Sequence, residues 1–222
     1  YEMQRSLVGS EMCIRDRSYT QEIILGRQST MEKTNKMIKI SLLAAIAVIL
    51  MYIDLPIIPV FPWLKMDLSD VPALIGAFGF GPISGVIIEL FKNILYILIK
   101  GSGTGFVGET ANFLIGSALI LPAGIIYHRN KSKKNAILGM IVGAISIEVV
   151  GILANVYLLL PAYGMQMSQS ELIKYITVGL LPLNGVKALV VSVSTYFLYK
   201  RVSVSIFKVK PNFGSSEREV LK

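Results

Sequence analysis

Asp70-Val71-Pro72-Ala73-Leu74-Ile75-Gly76-Ala77-Phe78-Gly79-Phe80-Gly81-Pro82 is the stretch that decides how this chain is built. An acid at a helix N-cap followed by proline in the first turn opens a helix. Gly79-Phe80-Gly81-Pro82 closes it, because proline cannot continue a helix. The apolar run left between them, Val71 to Phe80, rises roughly 15 Å, about half of a hydrocarbon core. It reads as a short, partial membrane span.

Full spans lie on both sides. A first span covers Met37 to Ile53, with Lys33, Lys36 and Lys39 before it and Pro56 and Pro59 after it. The two prolines make Asp54 to Ser69 a loop, with Trp63 beside Lys65 placed for the membrane interface. A third span covers Ile83 to Ile99, a fourth Glu109 to Tyr127, a fifth Ala136 to Leu160 and a sixth Ile173 to Tyr199. The chain has 222 residues, of which 53% are hydrophobic and 16% charged, too apolar for a water-soluble domain. The expected fold is an all-α integral membrane protein, a six-transmembrane-helix bundle with its second span short.

The formal net charge is +8, yet no basic face with interleaved aromatics points to nucleic acid. The bases instead cluster between apolar runs: Lys33, Lys36 and Lys39; Arg129, Lys131, Lys133 and Lys134; Lys200, Arg201, Lys208 and Lys210. With six spans these clusters fall on one side, which the positive-inside rule makes cytoplasmic, so both termini are inside. Cys13 and His128 are single residues of their kind, so neither a disulfide nor a zinc site is expected.

Residues 1–30 differ from the rest. Four arginines and four acids cancel, no lysine occurs, and no apolar core of a signal peptide is present. Ser6-Leu7-Val8-Gly9-Ser10-Glu11-Met12-Cys13-Ile14-Arg15-Asp16 resembles translated adapter read-through, and Met31 is a natural start. The expectation is a sequencing artefact or a disordered extension over 1–30, a membrane domain over 31–208 and a disordered cytoplasmic tail over 209–222.

Polar residues inside spans are costly unless paired or facing a cavity. In Leu181-Pro182-Leu183-Asn184-Gly185-Val186-Lys187 a spacing of three puts Asn184 and Lys187 on one helical face. Together they suit the carbonyl and imide edge of a flat heterocycle; the bland reading is helix contact with Lys187 snorkelling outward. Asn155 is a second amide in the same outer half. Glu148, below it, is expected to neutralise a buried lysine or to aid a subunit contact. Glu89 and Lys92 can pair at i,i+3 beside Asn93. The loop Gly101 to Gly108 matches G-x-G-x-x-G without the strand a dinucleotide site needs. Its glycines do let backbone approach a ligand, with Glu109 and Asn112 opening the next helix. Small residues at Ser41, Ala44, Ala45 and Ala47, and at Gly139, Gly143 and Gly151, fit close helix packing, within the bundle or against a partner.

The block from Trp63 to Gly76 containing Asp67-Leu68-Ser69-Asp70-Val71-Pro72-Ala73-Leu74, then Gly79-Phe80-Gly81-Pro82, Gly108-Glu109, Asn112-Phe113 and Leu183-Asn184-Gly185 with Lys187, carries a family resemblance. Over Met31 to about Lys208 the chain resembles the riboflavin-type substrate-binding S component of energy-coupling-factor (ECF) transporters. The resemblance implies an outward pocket in which Asn155, Asn184 and Lys187 bind the flavin ring. Leu64, Asp67, Glu109 and Asn112 would cap the ligand or hold its ribityl chain. It also implies docking of the first span, through Ser41, Ala44, Ala45 and Val48, on a transmembrane subunit that works with two ATPase subunits. Val48 departs there from an Ala-x-x-x-Ala pair with Ala44.

The implied function is capture of riboflavin outside a bacterial cytoplasmic membrane, followed by reorientation driven by ATP hydrolysis in the partners. Riboflavin would be cargo and not a cofactor, with flavin mononucleotide open as a second ligand. The chain has no Walker A loop and reads as a binder, not an enzyme. The rivals are an S component for thiamine, pantothenate or folate, an autonomous transporter, which the lack of an internal repeat disfavours, and a lipid-acting membrane enzyme, which a single histidine disfavours.

Overall fold

The computed structural model describes Arg27 and residues 30–61, 64–103 and 105–205, with side chains described as far as Tyr199. The expectations for 1–26 and 206–222, including Cys13, Lys208 and Lys210, lie outside these residues, as does the place of Trp63.

Six helices account for the spans. α1 is Thr30–Met51, α2 Asp70–Phe80, α3 Pro82–Lys100, α4 Val107–Arg129, α5 Lys133–Ala162 and α6 Gln169–Tyr199. Five are long and apolar enough to cross a membrane, and α2 is the shorter apolar one. Residues 30–38 of α1 are exposed, and the bundle begins at Ile40.

The core of the bundle gathers Leu43, Ala44 and Ala47 of α1, Leu74 and Phe78 of α2, Ile88 of α3, Leu119 and Ala123 of α4, Ile147 of α5 and Val191 of α6. Leucines and isoleucines on the opposite faces, such as Leu42, Ile83, Leu98, Ile145 and Leu189, are exposed, as lipid-facing side chains must be. Helices α4 and α5 approach to backbone contact. A Cβ on Gly143 would stand 2.5 Å from the Leu119 carbonyl oxygen, and one on Gly139 2.7 Å from that of Ala123. The glycines of the fifth span thus pack within the bundle.

Helix α2 is buried on nearly every side, because it fills the space between α3, α4 and α6 without crossing the membrane. His128 Nε2 meets the Ala77 carbonyl at 3.0 Å, and Phe78 stacks on Tyr127 and Tyr199, so the C-terminal end of α2 lies beside the C-terminal end of α4. Eleven residues then carry its N-terminus about 16 Å back toward the middle of the bundle. The chain between α1 and α2 must therefore dip into the bundle to meet it.

That connection is more ordered than a plain loop. Leu55–Pro56 and Lys65–Met66 form a short antiparallel pair, here β1 and β2, with Leu55 opposite Met66. An Asp54–Lys65 ion pair of 2.7 Å clasps it, and the adjacent ammonium holds the Asp54 carboxyl below the usual carboxylate range. Both side chains are substantially exposed, so the clasp contributes well under 1 kcal/mol. Ile58, Phe61 and Leu64 anchor the hairpin in a second apolar cluster with Leu160, Tyr175, Leu180 and Leu183.

Helices α5 and α6 each contain a widened π turn, at Asn155–Leu159 and Tyr175–Leu180. A proline follows each one closely, Pro161 and Pro182. Proline cannot donate its backbone hydrogen bond and its ring crowds the preceding turn, and a widened turn relieves both.

Candidate functional site

A cavity of about 280 Å³ opens at the end of the bundle away from the Arg129–Lys134 basic cluster. Its wall comes from the C-terminal ends of α1, α3 and α5, the N-terminal part of α4, the middle of α6, and the α1–α2 connection. Leu64, Asp67, Glu109, Asn112, Asn155, Asn184 and Lys187 all line it. Residues spread over four segments of sequence are brought to one place. Sequence reasoning missed Asp54, Lys65, Tyr96 and Tyr163 on the same wall. Tyr96 and Tyr163 carry no polar pattern to mark them, whereas the Asp54–Lys65 pair needed the hairpin to be known.

Each polar side chain is positioned by local structure. Gly105 and Phe106 both take left-handed backbone conformations, at φ 61 and 68, which turn the chain into α4. Ser102 Oγ accepts from Phe106 N at 2.7 Å and donates to Glu109 Oε2 at 3.1 Å, fixing Glu109 at the rim. Asn112 is one turn further along the helix, and its Oδ1 is buried with no hydrogen-bond partner. On α6, Asn184 and Lys187 share a face, as the spacing of three predicts. Asn184 Nδ2 packs against Gly151 and lies beside the Glu148 carboxyl.

Lys187 does not snorkel. It is 7% exposed, and its ammonium lies 2.9 Å from Asp70 Oδ2. The other oxygen of Asp70 accepts a 2.8 Å hydrogen bond from Lys92 Nζ, which also pairs with Glu89 Oε2 at 2.6 Å. Lys92 further donates to Ser69 Oγ at 2.8 Å, and Ser69 donates to Asp67 Oδ1 through its hydroxyl and, at 2.8 Å, its backbone N–H. The Glu89–Lys92 pair is thus one part of a larger buried network. The network joins two cavity residues, Asp67 and Lys187, through the middle of the bundle.

Two expectations are corrected here. Asp70 is not an N-cap: Ser69 precedes the helix, and the Asp70 carboxylate turns inward to two lysines whose burial demands a counter-charge. Glu148 does not neutralise Lys187, because Asp70 already does; the Glu148 carboxyl faces α6, and a Cβ on Gly185 would lie 3.3 Å from its Oε1. On α1, Ser41 and Ala45 are exposed, whereas Ala44 and Val48, at 1% and 5% exposure, face the core.

Gly116 makes room for the network on the α4 side. A Cβ there would lie 2.7 Å from Glu89 Oε2 and 3.3 Å from Asp70 Oδ1. Gly116→Ala is expected to lower stability by about 1–3 kcal/mol, the usual cost of overpacking. Thermal unfolding in detergent measures it, and an unchanged melting temperature would contradict the crowding.

The walls of the cavity differ chemically. On the α5–α6 side stand donors: the Lys187 ammonium and the amides of Asn184 and Asn155. On the hairpin and α4 side stand mainly acceptors, Asp67, Glu109 and Asn112 Oδ1, with Asp54 paired to the Lys65 ammonium on the same wall. Among the described residues no group of three or more His, Cys, Asp or Glu is arranged to hold a metal ion. Buried amide groups left without partners demand an explanation, and a bound polar molecule supplies one.

Fold and cavity define a multi-pass membrane protein with a cavity at one end of its helix bundle. Residues 35–199 match the family model of the ECF transporter substrate-specific component, and the chain belongs to that family. It is 38% identical to the riboflavin transporter RibU of Staphylococcus aureus (strain TCH60) over 80% of this chain and 95% of that protein. It is 34% identical to the riboflavin transporter FmnP of Bacillus subtilis (strain 168) over 72% of this chain and 88% of that protein. A solved structure described as the S component of a bacterial ECF transporter superposes with a TM-score of 0.68 and 36% identity, covering 78% of this chain and 98% of that one. The family is a transporter component and not an enzyme.

Proposed function

We propose that the chain captures riboflavin in this cavity, on the outer face of a bacterial cytoplasmic membrane, as cargo and not as cofactor. The observation that carries the reading is the two-sided wall. Donors from Asn155, Asn184 and Lys187 suit the carbonyls and ring nitrogens of a flavin, and acceptors from Asp67, Glu109 and Asn112 suit the hydroxyls of a ribityl chain. The relatives named as riboflavin transporters support the same cargo. Leu64 of the hairpin lines the cavity and is anchored in the second apolar cluster.

Import then requires an energising module: a transmembrane subunit and two ATPase subunits, with the S component reorienting to release its cargo inside. The exposed small residues Ser41 and Ala45 are the part of α1 we assign to docking on the transmembrane subunit. The test is to purify the full chain in mild detergent without added ligand and record its absorbance and fluorescence. Co-purifying flavin, or saturable quenching on titration, supports the cargo. Well-folded protein that ignores riboflavin but takes up another vitamin overturns it, and flavin mononucleotide belongs in the same titration series.

A further inference from the structure

Asn155 and Tyr175 open the two π turns, and each is nearly buried, at 4% and 2% exposure. Asn155 lines the cavity and Tyr175 packs behind it. The orientation of an amide side chain is usually ambiguous, because its oxygen and nitrogen look alike. Here the surroundings settle it. One end of the amide lies 2.8 Å from the Gly151 carbonyl oxygen, which can only accept, so that end is Nδ2. The other end is therefore Oδ1, and the Tyr175 hydroxyl, 3.0 Å away, donates to it. One of the two N–H bonds of Asn155 is spent on Gly151, and the second is the donor left to offer the cavity.

We infer that Tyr175 is the positioning residue that fixes Asn155 to present an N–H to the cargo, so that the site selects an acceptor, and rejects a donor, at this point. The inference rests on the reading of Asn155 as a ligand contact. Tyr175 is itself well held: the Phe61 ring of the α1–α2 connection meets it edge-on, with centroids 5.2 Å apart. The widened turn in each helix brings these two side chains together, and π turns of this kind recur at functional sites. Tyr175 is not among the residues that line the cavity. It acts only through the amide.

Riboflavin titration of the full chain in mild detergent, read by flavin fluorescence, tests the inference as a double-mutant cycle. Tyr175→Phe keeps the ring and its apolar contacts, so unliganded protein should melt close to the parent. Its affinity is expected to fall about tenfold. In an Asn155→Ala background, already much weaker, Tyr175→Phe should cost nothing further, because there is no amide left to orient. Asn155→Asp retains an acceptor for the Tyr175 hydroxyl but has no N–H, and should bind at least as poorly as Asn155→Ala. It also serves as the second background should Asn155→Ala not fold. Parent affinity in Tyr175→Phe, or the same tenfold loss with and without Asn155, would overturn the positioning role alone. Parent affinity in both Asn155 variants would remove Asn155 from the site and the inference with it.

Discussion

A Lys187→Met variant is expected to bind riboflavin about a hundredfold more weakly than the parent chain, a change of roughly 2.7 kcal/mol. The size follows from what would be lost: a charge-assisted hydrogen bond from a nearly buried ammonium, worth about 1.5–3 kcal/mol. Lys187 is 7% exposed, lines the cavity and lies on the same helical face as Asn184, which is where the proposed function needs a donor. Methionine preserves the length of the stem and the helix. Asp70 keeps Lys92, 2.8 Å from its Oδ1, but shares it with Glu89, so the variant also loses stability. Affinity and folding are therefore read separately. Fluorescence titration beside a melting curve separates the two, and an affinity within threefold of the parent would contradict the placement of Lys187 in the site.

Asp70→Asn should have the largest effect on stability. Its carboxylate is shared between Lys92 at 2.8 Å and Lys187 at 2.9 Å, and all three side chains are almost fully removed from solvent. Removing one partner of a buried pair leaves a charge without compensation and costs about 3–5 kcal/mol. Lys92 still has Glu89 at 2.6 Å, so the cost concentrates on Lys187. That makes a specific prediction for the double variant. Asp70→Asn with Lys187→Met should recover a large part of the lost stability, because the stranded ammonium is gone, while affinity stays low. Thermal unfolding of the three variants in one detergent reads this out. Simple addition of the two stability losses would show that Asp70 and Lys187 are not energetically paired.

Much of this arrangement is legible in the sequence, and what is not has a physical reason. Hydrophobic length and helix-stopping Gly and Pro place every span, including the short α2, to within a few residues of its observed ends, except that α1 begins well before Met37, at Thr30. Asparagines and lysines inside apolar runs point to the cavity, because burying them needs a cause. Periodicity, however, reports only which face of its own helix a residue occupies. Asp70 reads as an N-cap from its neighbours alone, and its inward turn is decided by Lys92 and Lys187 on other helices. Ala44 and Val48 look like contact residues by size, yet the same small volume lets them pack inside the bundle. Tyr175 gives no signal at all in a span rich in apolar residues. Its role emerges only when the Gly151 carbonyl identifies which end of the Asn155 amide is Nδ2, leaving Oδ1 to the Tyr175 hydroxyl.

Trp63 is the only tryptophan of the chain and adjoins the cavity residue Leu64 in sequence, so one titration can report on cargo and capping together. Riboflavin is added to the purified full chain in mild detergent, and tryptophan and flavin emission are followed in the same cuvette. Capture in this cavity predicts saturable quenching of both signals with one stoichiometric endpoint, and loss of both in Lys187→Met at the same riboflavin concentration. Folded protein whose two signals stay unchanged across the titration would contradict the account of the cavity as a riboflavin site.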